Sequence, residues 1–364
     1  MSGYLTVIAA FLSLLAVPVT IACVVDDWVL RPKRQLRAPA GQPLPDPLLM
    51  RVLYGLLPVT ILGLFISLYT AERADFSLVL VAVVAVSGVV LLIDRSLLRP
   101  RREAAARAAS RDPASIELPG TVDYARSFFP VMAVLLVLRS FFYEPYRIPS
   151  DSMMPTLLDG DFILVNKNAY GLRWPVLNTR FWGDGLPRRG DVAVFRYPPD
   201  RSVNFVKRVV GLPGDRVEVR ADQLIINGVA VPLEPQGRYS NGCYLNMRKA
   251  EETLDGRKHQ VMHCLSADYL PVAPLTACNR DIPQGYLCNE ATAGISADTG
   301  DKLLQVPVGH YLAIGDNRDN SSDGRAWGFV PEDNLVGRAT LVWFNWDLQR
   351  SGGPDWSRIG TRID

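Results

Sequence analysis

Histidine is scarce in this sequence, three in 364 residues, and there are only five cysteines. Charge of either sign is also not in surplus: 39 lysines and arginines face 37 aspartates and glutamates, a net of +2. That balance excludes a protein held to nucleic acid by a broad basic surface. No cysteines stand in C-x-x-C spacing, so a zinc finger or ribbon is not encoded. G-x-S-x-G, S-x-x-K, the Walker loop and G-x-G-x-x-G are all missing, which removes the usual nucleophile elbows and phosphate cradles. His259 and His263 stand four apart beside Cys264, but the glutamate of H-E-x-x-H is not between them. No metal site and no cofactor are expected. With His310 the only other histidine, a Ser-His-Asp triad fits poorly. A hydrolase here needs another base, and a desolvated lysine is the usual substitute.

What the chain has is apolar residues, 48% of the total, unevenly spread. Residues 5–25, 52–69 and 76–93 carry no charge, and each is close to the ~17–25 residues that cross a bilayer. A fourth apolar stretch, 128–138, ends at Arg139 and is flanked by Arg126 and by Phe141, Phe142 and Tyr143. Snorkelling arginines and an aromatic belt extend it to a span over 122–142. Basic residues crowd the loop after the first run (Arg31, Lys33, Arg34, Arg37, Arg51) and the one after the third (Arg95, Arg99, Arg101, Arg102, Arg107, Arg111). Lysine and arginine mark the cytoplasmic side, so the N-terminus and everything beyond the fourth span are expected outside. The first run has no basic residue before it and no small-x-small site after it, so it is not expected to be cleaved. Charge divides accordingly: 14 basic against 10 acidic residues through Phe142, +4, then 25 against 27, −2.

Beyond residue 148 the pattern changes to short β-rich runs separated by turns. Strands are predicted at 162–167, 191–197, 204–212, 216–220, 310–315 and 339–345. Asn227-Gly228 inside residues 223–231 predicts a hairpin, since it supplies the positive φ angles of a type I′ turn. The segment from about 236 to 305 shows few strand signals and carries Cys243, Cys264, Cys278 and Cys288. It reads as an insertion stapled by two disulfides in an oxidising compartment, with three pairings possible. Cys23, in the first span, reads as an inert buried thiol. Residues 101–111, rich in alanine and arginine, read as a solvated cytoplasmic helix.

The search narrows to a serine near a lysine in apolar surroundings, and two segments are candidates to supply them. Pro149-Ser-Asp-Ser-Met-Met-Pro155 follows the last span, and Phe205-Val-Lys-Arg-Val-Val-Gly211 lies on a predicted strand. On a strand Lys207 and Arg208 point to opposite faces, so at most one is expected to face the core.

Residues 141–167 around Ser152 resemble the serine-containing box of bacterial type I signal peptidases, a Ser/Lys-dyad family of membrane serine endopeptidases. Asn204-Phe-Val-Lys-Arg-Val-Val-Gly-Leu-Pro-Gly-Asp215 is similar to their lysine box. Gly315-Asp-Asn-Arg-Asp-Asn-Ser-Ser-Asp-Gly-Arg325 resembles their C-terminal box. The resemblance implies a mainly β catalytic domain over 143–364, anchored by about four transmembrane helices within 1–142, in the bacterial inner membrane with the catalytic domain in the periplasm. It implies Ser152 as nucleophile and Lys207 as general base, with Ser150 supporting the oxyanion, Ser321 holding Lys207, and Asp323 and Arg325 as a supporting ion pair. Tyr146, Ile148, Met153, Leu157, Phe205 and Val206 match the walls of its substrate pockets. Substrates would be preproteins whose signal peptides end in small-x-small, Ala-x-Ala type sites; the bilayer is the other partner, the export machinery a further one, and nucleic acid is not. Met153 and Met154 are expected to touch the bilayer. Asp151 stands where the family has a small residue, and it is expected to face solvent, since a carboxylate at the oxyanion site would repel the developing charge. The alternatives are a membrane-tethered peptide-binding β module without catalysis, and a Ser/Lys peptidase dedicated to one pilus or conjugation substrate.

Overall fold

The computed structural model describes residues 2–37, 46–70, 76–110, 112, 118–175, 177–220, 222–241, 244–263, 302–347 and 353–363. It divides into two compact units, Met1–Val137 and Leu138–Asp364.

The first unit is helical: α1 (Ser2–Val25), α2 (Arg31–Arg37), α3 (Leu48–Thr70), α4 (Phe76–Ile93), α5 (Arg99–Ala108) and α6 (Gly120–Val137). Apolar runs of this length become helices because lipid offers no partner for backbone N–H and C=O groups. Ala10–Arg37, Ser77–Ala108 and Gly120–Phe142 are long and apolar enough to cross a membrane, and α3 contains a shorter apolar stretch, Leu48–Leu64. α1 packs on α3 and α4 on α6. A Cβ on Gly63 would stand 2.4 Å from Leu12 Cβ, so a glycine there lets α1 and α3 close up. The basic helices α2 and α5 touch each other. Asp27, buried in a π-helical turn after α1, caps the start of α6: its carboxylate accepts from Gly120 N at 2.7 Å and Thr121 N at 2.8 Å. The predicted runs at 52–69 and 76–93 correspond to α3 and α4, and the alanine-arginine segment to α5.

The second unit is almost all β. Its strands are β1 (Tyr143–Arg147), β2 (Asp161–Asn166), β3 (Leu172–Arg173), β4 (Arg180–Trp182), β5 (Val192–Arg196), β6 (Asn204–Gly211), β7 (Arg216–Arg220) and β8 (Gln223–Ile226). They continue as β9 (Val229–Ala230), β10 (Leu233–Asn241), β11 (Tyr244–Leu254), β12 (Arg257–His263), β13 (Lys302–Gln305), β14 (His310–Ile314), β15 (Val330–Pro331) and β16 (Leu335–Asn345). A single turn of helix, α7 (Gly324–Trp327), sits between β14 and β15.

Seven antiparallel strands form the main sheet, in the order β1-β2-β16-β5-β6-β14-β15. β13-β7-β8-β9 makes a second sheet and β10-β11-β12 a third. Ile163, Val165, Val192, Val194 and Val342 alternate inward on their strands into one apolar cluster, joined by Ile148, Met153 and Leu157 from the segment after β1. That packing is what holds the serine-bearing turn on the sheet. The predicted hairpin forms, with Asn227 at φ 54° and Gly228 at φ 80°.

Two expectations fail here. The segment from 236 was read as poor in strands, yet it contains most of β10 and all of β11 and β12. Residues 248–263 carry many charged side chains on the outward face, which masks the inward alternation of Ala250, Glu252, Leu254, His259 and Val261, all buried. Cys243, Cys264, Cys278 and Cys288, and with them the expected disulfides, lie outside the described residues; Cys23 is a buried free thiol. Met153 and Met154 do not face outward either. Met153 is 1% exposed inside the main cluster, and Met154 is fully buried against Met247 and Met262.

Candidate active site

Ser152 sits in a single 3-10 turn, Asp151–Met153, entered from an extended Ser150. The turn is fixed from outside by the loop after β14. Asn317 N donates to Ser152 O at 3.1 Å, and Asn317 Nδ2 donates to Asp151 O at 3.0 Å. Gly315 lies directly beneath. A Cβ on it would meet Ser321 Oγ at 2.2 Å and Ser152 O at 2.5 Å, so only glycine lets the two segments come this close.

Lys207 lies on β6, paired across the sheet with Ala193 on β5. Its Nζ donates a hydrogen bond to Ser152 Oγ, across 55 residues of sequence. The side chain is 5% exposed, and Nζ stands 5.4 Å from the centre of the Phe205 ring. Burial pulls the ammonium pKa down from its ordinary 10.5 to about 8, against the opposing pull of Asp323 and Asp316. A lysine so placed loses its proton near neutral pH, which arginine cannot do.

Arg208 is also buried, at 0% exposure, although one basic residue of the pair was expected at the surface. Both faces of β6 are covered, so both side chains are enclosed. Arg208 donates to both carboxylate oxygens of Asp316, each at 2.8 Å, and to Gly190 O at 2.7 Å. Thr156 Oγ1 donates to the same carboxylate at 2.6 Å. The pair therefore ties β6, the loop after β14 and the end of the serine segment together. Asp316 was not singled out in the sequence, and Arg208 only as the neighbour of Lys207; residues 315–325 hold several charged side chains, and nothing there marks Asp316 as the partner.

Ser150 Oγ stands 3.4 Å from Ser152 Oγ, on the exposed side of the turn. Asp323 accepts from Gly315 N at 2.9 Å and forms a two-point ion pair with Arg325, Nε to Oδ1 and Nη2 to Oδ2, both 2.9 Å. Asp323 also caps α7. The structure thus brings Asp323 and Arg325 together as a brace for the loop. Ser321 Oγ, expected to hold Lys207, is buried against Gly315 and helps to hold the Asp323 carboxylate in its charged form. Asp151 is half-buried with Oδ1 screened from water, not turned to solvent as expected, because Asn317 holds its backbone against the loop.

The pocket candidates divide. Ile148, Met153 and Leu157 are buried in one apolar cluster, with Tyr146 and Val206 packed against it. Phe205 lies with a different group, stacked on Tyr197 at 4.3 Å and edge-on to Trp327 at 6.3 Å. Buried Glu144 anchors the approach to the serine: Arg139 Nη2 donates to it at 2.7 Å, Lys167 Nζ at 2.9 Å and Tyr146 Oη at 3.0 Å.

A protein-family profile described as "Signal peptidase, peptidase S26" matches residues 121–346. A curated "Signal peptidase I" of Pseudomonas aeruginosa is 40% identical over 307 residues, 79% of this chain and 98% of that protein. One of Haemophilus influenzae is 31% identical, over 77% of this chain and 88% of its own length. A crystal structure of a signal peptidase I from Enterococcus faecalis V583 is 27% identical, covering 42% of this chain and 96% of that one, with a TM-score of 0.22.

Proposed function

The chain belongs to the signal peptidase I family, peptidase S26, and is a membrane serine peptidase that removes signal peptides; on that premise we propose that Ser152 is its nucleophile and Lys207 its general base. The observation that carries this is the hydrogen bond between a buried, pKa-lowered Lys207 and Ser152 Oγ.

In the neutral form Lys207 Nζ accepts the Ser152 hydroxyl proton as Oγ attacks the carbonyl carbon of the last signal-peptide residue. The oxyanion receives hydrogen bonds from the Ser152 N–H and the Ser150 hydroxyl; one such donor contributes typically ~3–4 kcal/mol. The tetrahedral intermediate collapses, the C–N bond breaks, and Lys207 returns its proton to the departing amine of the mature protein. Water then attacks the acyl-serine with Lys207 again as base, releasing the signal peptide and restoring the hydroxyl. Asp323 and Arg325 brace the loop, and Ser321, packed with Ser152 on Gly315, completes the floor of the site.

Half-buried Tyr146, Phe205 and Val206 wall shallow apolar pockets, backed by buried Ile148, Met153 and Leu157, that admit small side chains, so cleavage follows small-x-small, Ala-x-Ala type sites. The substrate lies extended against a strand edge, with main-chain bonds setting register. The enzyme is multi-pass in the bacterial inner membrane, with α1, α3, α4 and α6 crossing and the β unit periplasmic; the contact of α2 with α5 supports the shared cytoplasmic side.

The test is cleavage of a model preprotein in detergent by wild type, Ser152→Ala and Lys207→Ala. Cleavage by wild type alone is expected. Undiminished cleavage by Ser152→Ala overturns the nucleophile, and a wild type inert toward several Ala-x-Ala preproteins but cutting one pilus-type substrate overturns the general substrate range.

A further inference from the structure

One buried carboxylate near the site has no part in the Ser152–Lys207 pair. β1 is an edge strand of the main sheet, and Glu144 and Tyr146 stand two apart on it, so their side chains leave on the same face. That face is apolar: Glu144 pairs across to Val165 and Tyr146 to Ile163, both fully buried. A carboxylate there is costly unless its oxygens are held. Oε1 of Glu144 accepts from Arg139 Nε at 3.1 Å and Nη2 at 2.7 Å, and Oε2 accepts from Lys167 Nζ at 2.9 Å and Tyr146 Oη at 3.0 Å.

The phenol is the informative member. Arg139, in the turn just before β1, and Lys167, just past β2, bring two positive charges to one carboxylate. Those two suffice to balance it and to tie the two segments together, and a purely structural tie needs no more. The bond from Tyr146 acts in the other direction. A carboxylate gripped from two sides is a rigid acceptor, and the end of the ring that donates to it is fixed with it. Hydrogen bonds to an ionised acceptor are also roughly twice as strong as neutral ones. Tyr146 is half-buried, packed on the apolar cluster that contains Ile148, Met153 and Leu157. Released at its tip, a ring on an edge strand gains freedom about χ1 and χ2 toward its open side.

We propose that Glu144 sets the width of the substrate pocket through Tyr146: its carboxylate, fixed by Arg139 and Lys167, holds the ring where only a small side chain fits beside it. The inference rests on the reading of Tyr146 as a pocket wall. Glu144 touches neither substrate nor the reacting atoms, so it is a positioning residue, and what it governs is selectivity rather than bond breaking. One methylene in an apolar pocket is worth about 10–200-fold in kcat/KM. A wall that yields forfeits that discrimination, and apolar packing alone leaves the open side of this ring unrestrained.

The experiment measures kcat and KM of the full chain in detergent on a preprotein ending in Ala-x-Ala, and on versions with Val or Leu in place of either alanine. Tyr146→Phe removes the hydroxyl and keeps the ring; Glu144→Gln removes the charge and keeps the shape. Wild type is expected to prefer alanine at both places. Tyr146→Phe is expected to lose about tenfold of that preference at one of them, the lower end of what a methylene is worth, and on the Ala-x-Ala preprotein its KM rises more than its kcat falls. Glu144→Gln is expected to shift the same preference in the same direction, and the double variant to go no further than Tyr146→Phe, because one bond underlies both. A merely structural carboxylate would lower the melting temperature and leave the preference untouched. Either single variant as selective as wild type overturns the inference, as does a double variant whose two losses multiply. Should Glu144→Gln misfold, Tyr146→Phe decides alone. A wild type that cuts the Ala, Val and Leu versions alike overturns the pocket itself, and the inference with it.

Discussion

Lys207 carries the most consequence per atom in this protein. Its folded pKa of about 8 lies below the ordinary 10.5, so the active, neutral form is populated as pH rises through about 8. A kcat/KM profile on a model preprotein is expected to climb on the acid side and level off above about 8; a plateau reached by pH 6 would place the base elsewhere. The same depression affects stability. Below pH 8 both folded and unfolded chains hold the proton, and the fold bears the full cost of enclosing it, on the order of 3 kcal/mol. Between 8 and 10.5 the unfolded chain holds one more proton than the folded one, so stability rises with pH and the penalty fades. Lys207→Met is therefore expected to be inactive and, at pH 7, more resistant to urea than wild type, with the gap closing toward pH 10.5. Equal midpoints at both pH values would show that burial costs this lysine nothing.

At the scale of elements, the loop between β14 and α7 decides whether the serine turn is held. Its tightest point is Gly315, where a Cβ would press on Ser152 O and Ser321 Oγ. Gly315→Ala is expected to lose about 1–3 kcal/mol of stability by overpacking and to lower kcat more than it raises KM, since the serine moves while the pocket walls stay. A raised KM with unchanged kcat would contradict that. Much of this architecture was legible in the residues. β6 and the β8–β9 hairpin carry their own periodicity and turn chemistry. The scarcity of histidine narrowed the search to a serine and a lysine, and the resemblance of three boxes singled out Ser152 and Lys207. β10, β11 and β12 were not legible, because buried Glu252 and His259 occupy inward positions where an alternation rule expects apolar residues. Their partner explains them: Arg318 donates to Glu252 with both amino groups, and His259 Nε2 lies 3.1 Å from the same carboxylate.

For the molecule as a whole, the near-zero net charge conceals a +4 helical part and a −2 β part. The basic residues of the first lie in and around α2 and α5, and these make the orientation testable. A reporter joined after Tyr143 is expected to behave as exported, and one joined after Arg107 as cytoplasmic. A cytoplasmic reporter at Tyr143 would mean that α6 does not cross.

β6 places Lys207 and Arg208 side by side on opposite faces, one toward Ser152 and the other toward Asp316. A slip of one residue in the pairing of β5 with β6 would exchange them. The serine would then meet a guanidinium that never gives up its proton, inside a sheet still fully paired. Misregistered copies would be soundly folded and catalytically silent, and a folding assay alone would count them as good enzyme.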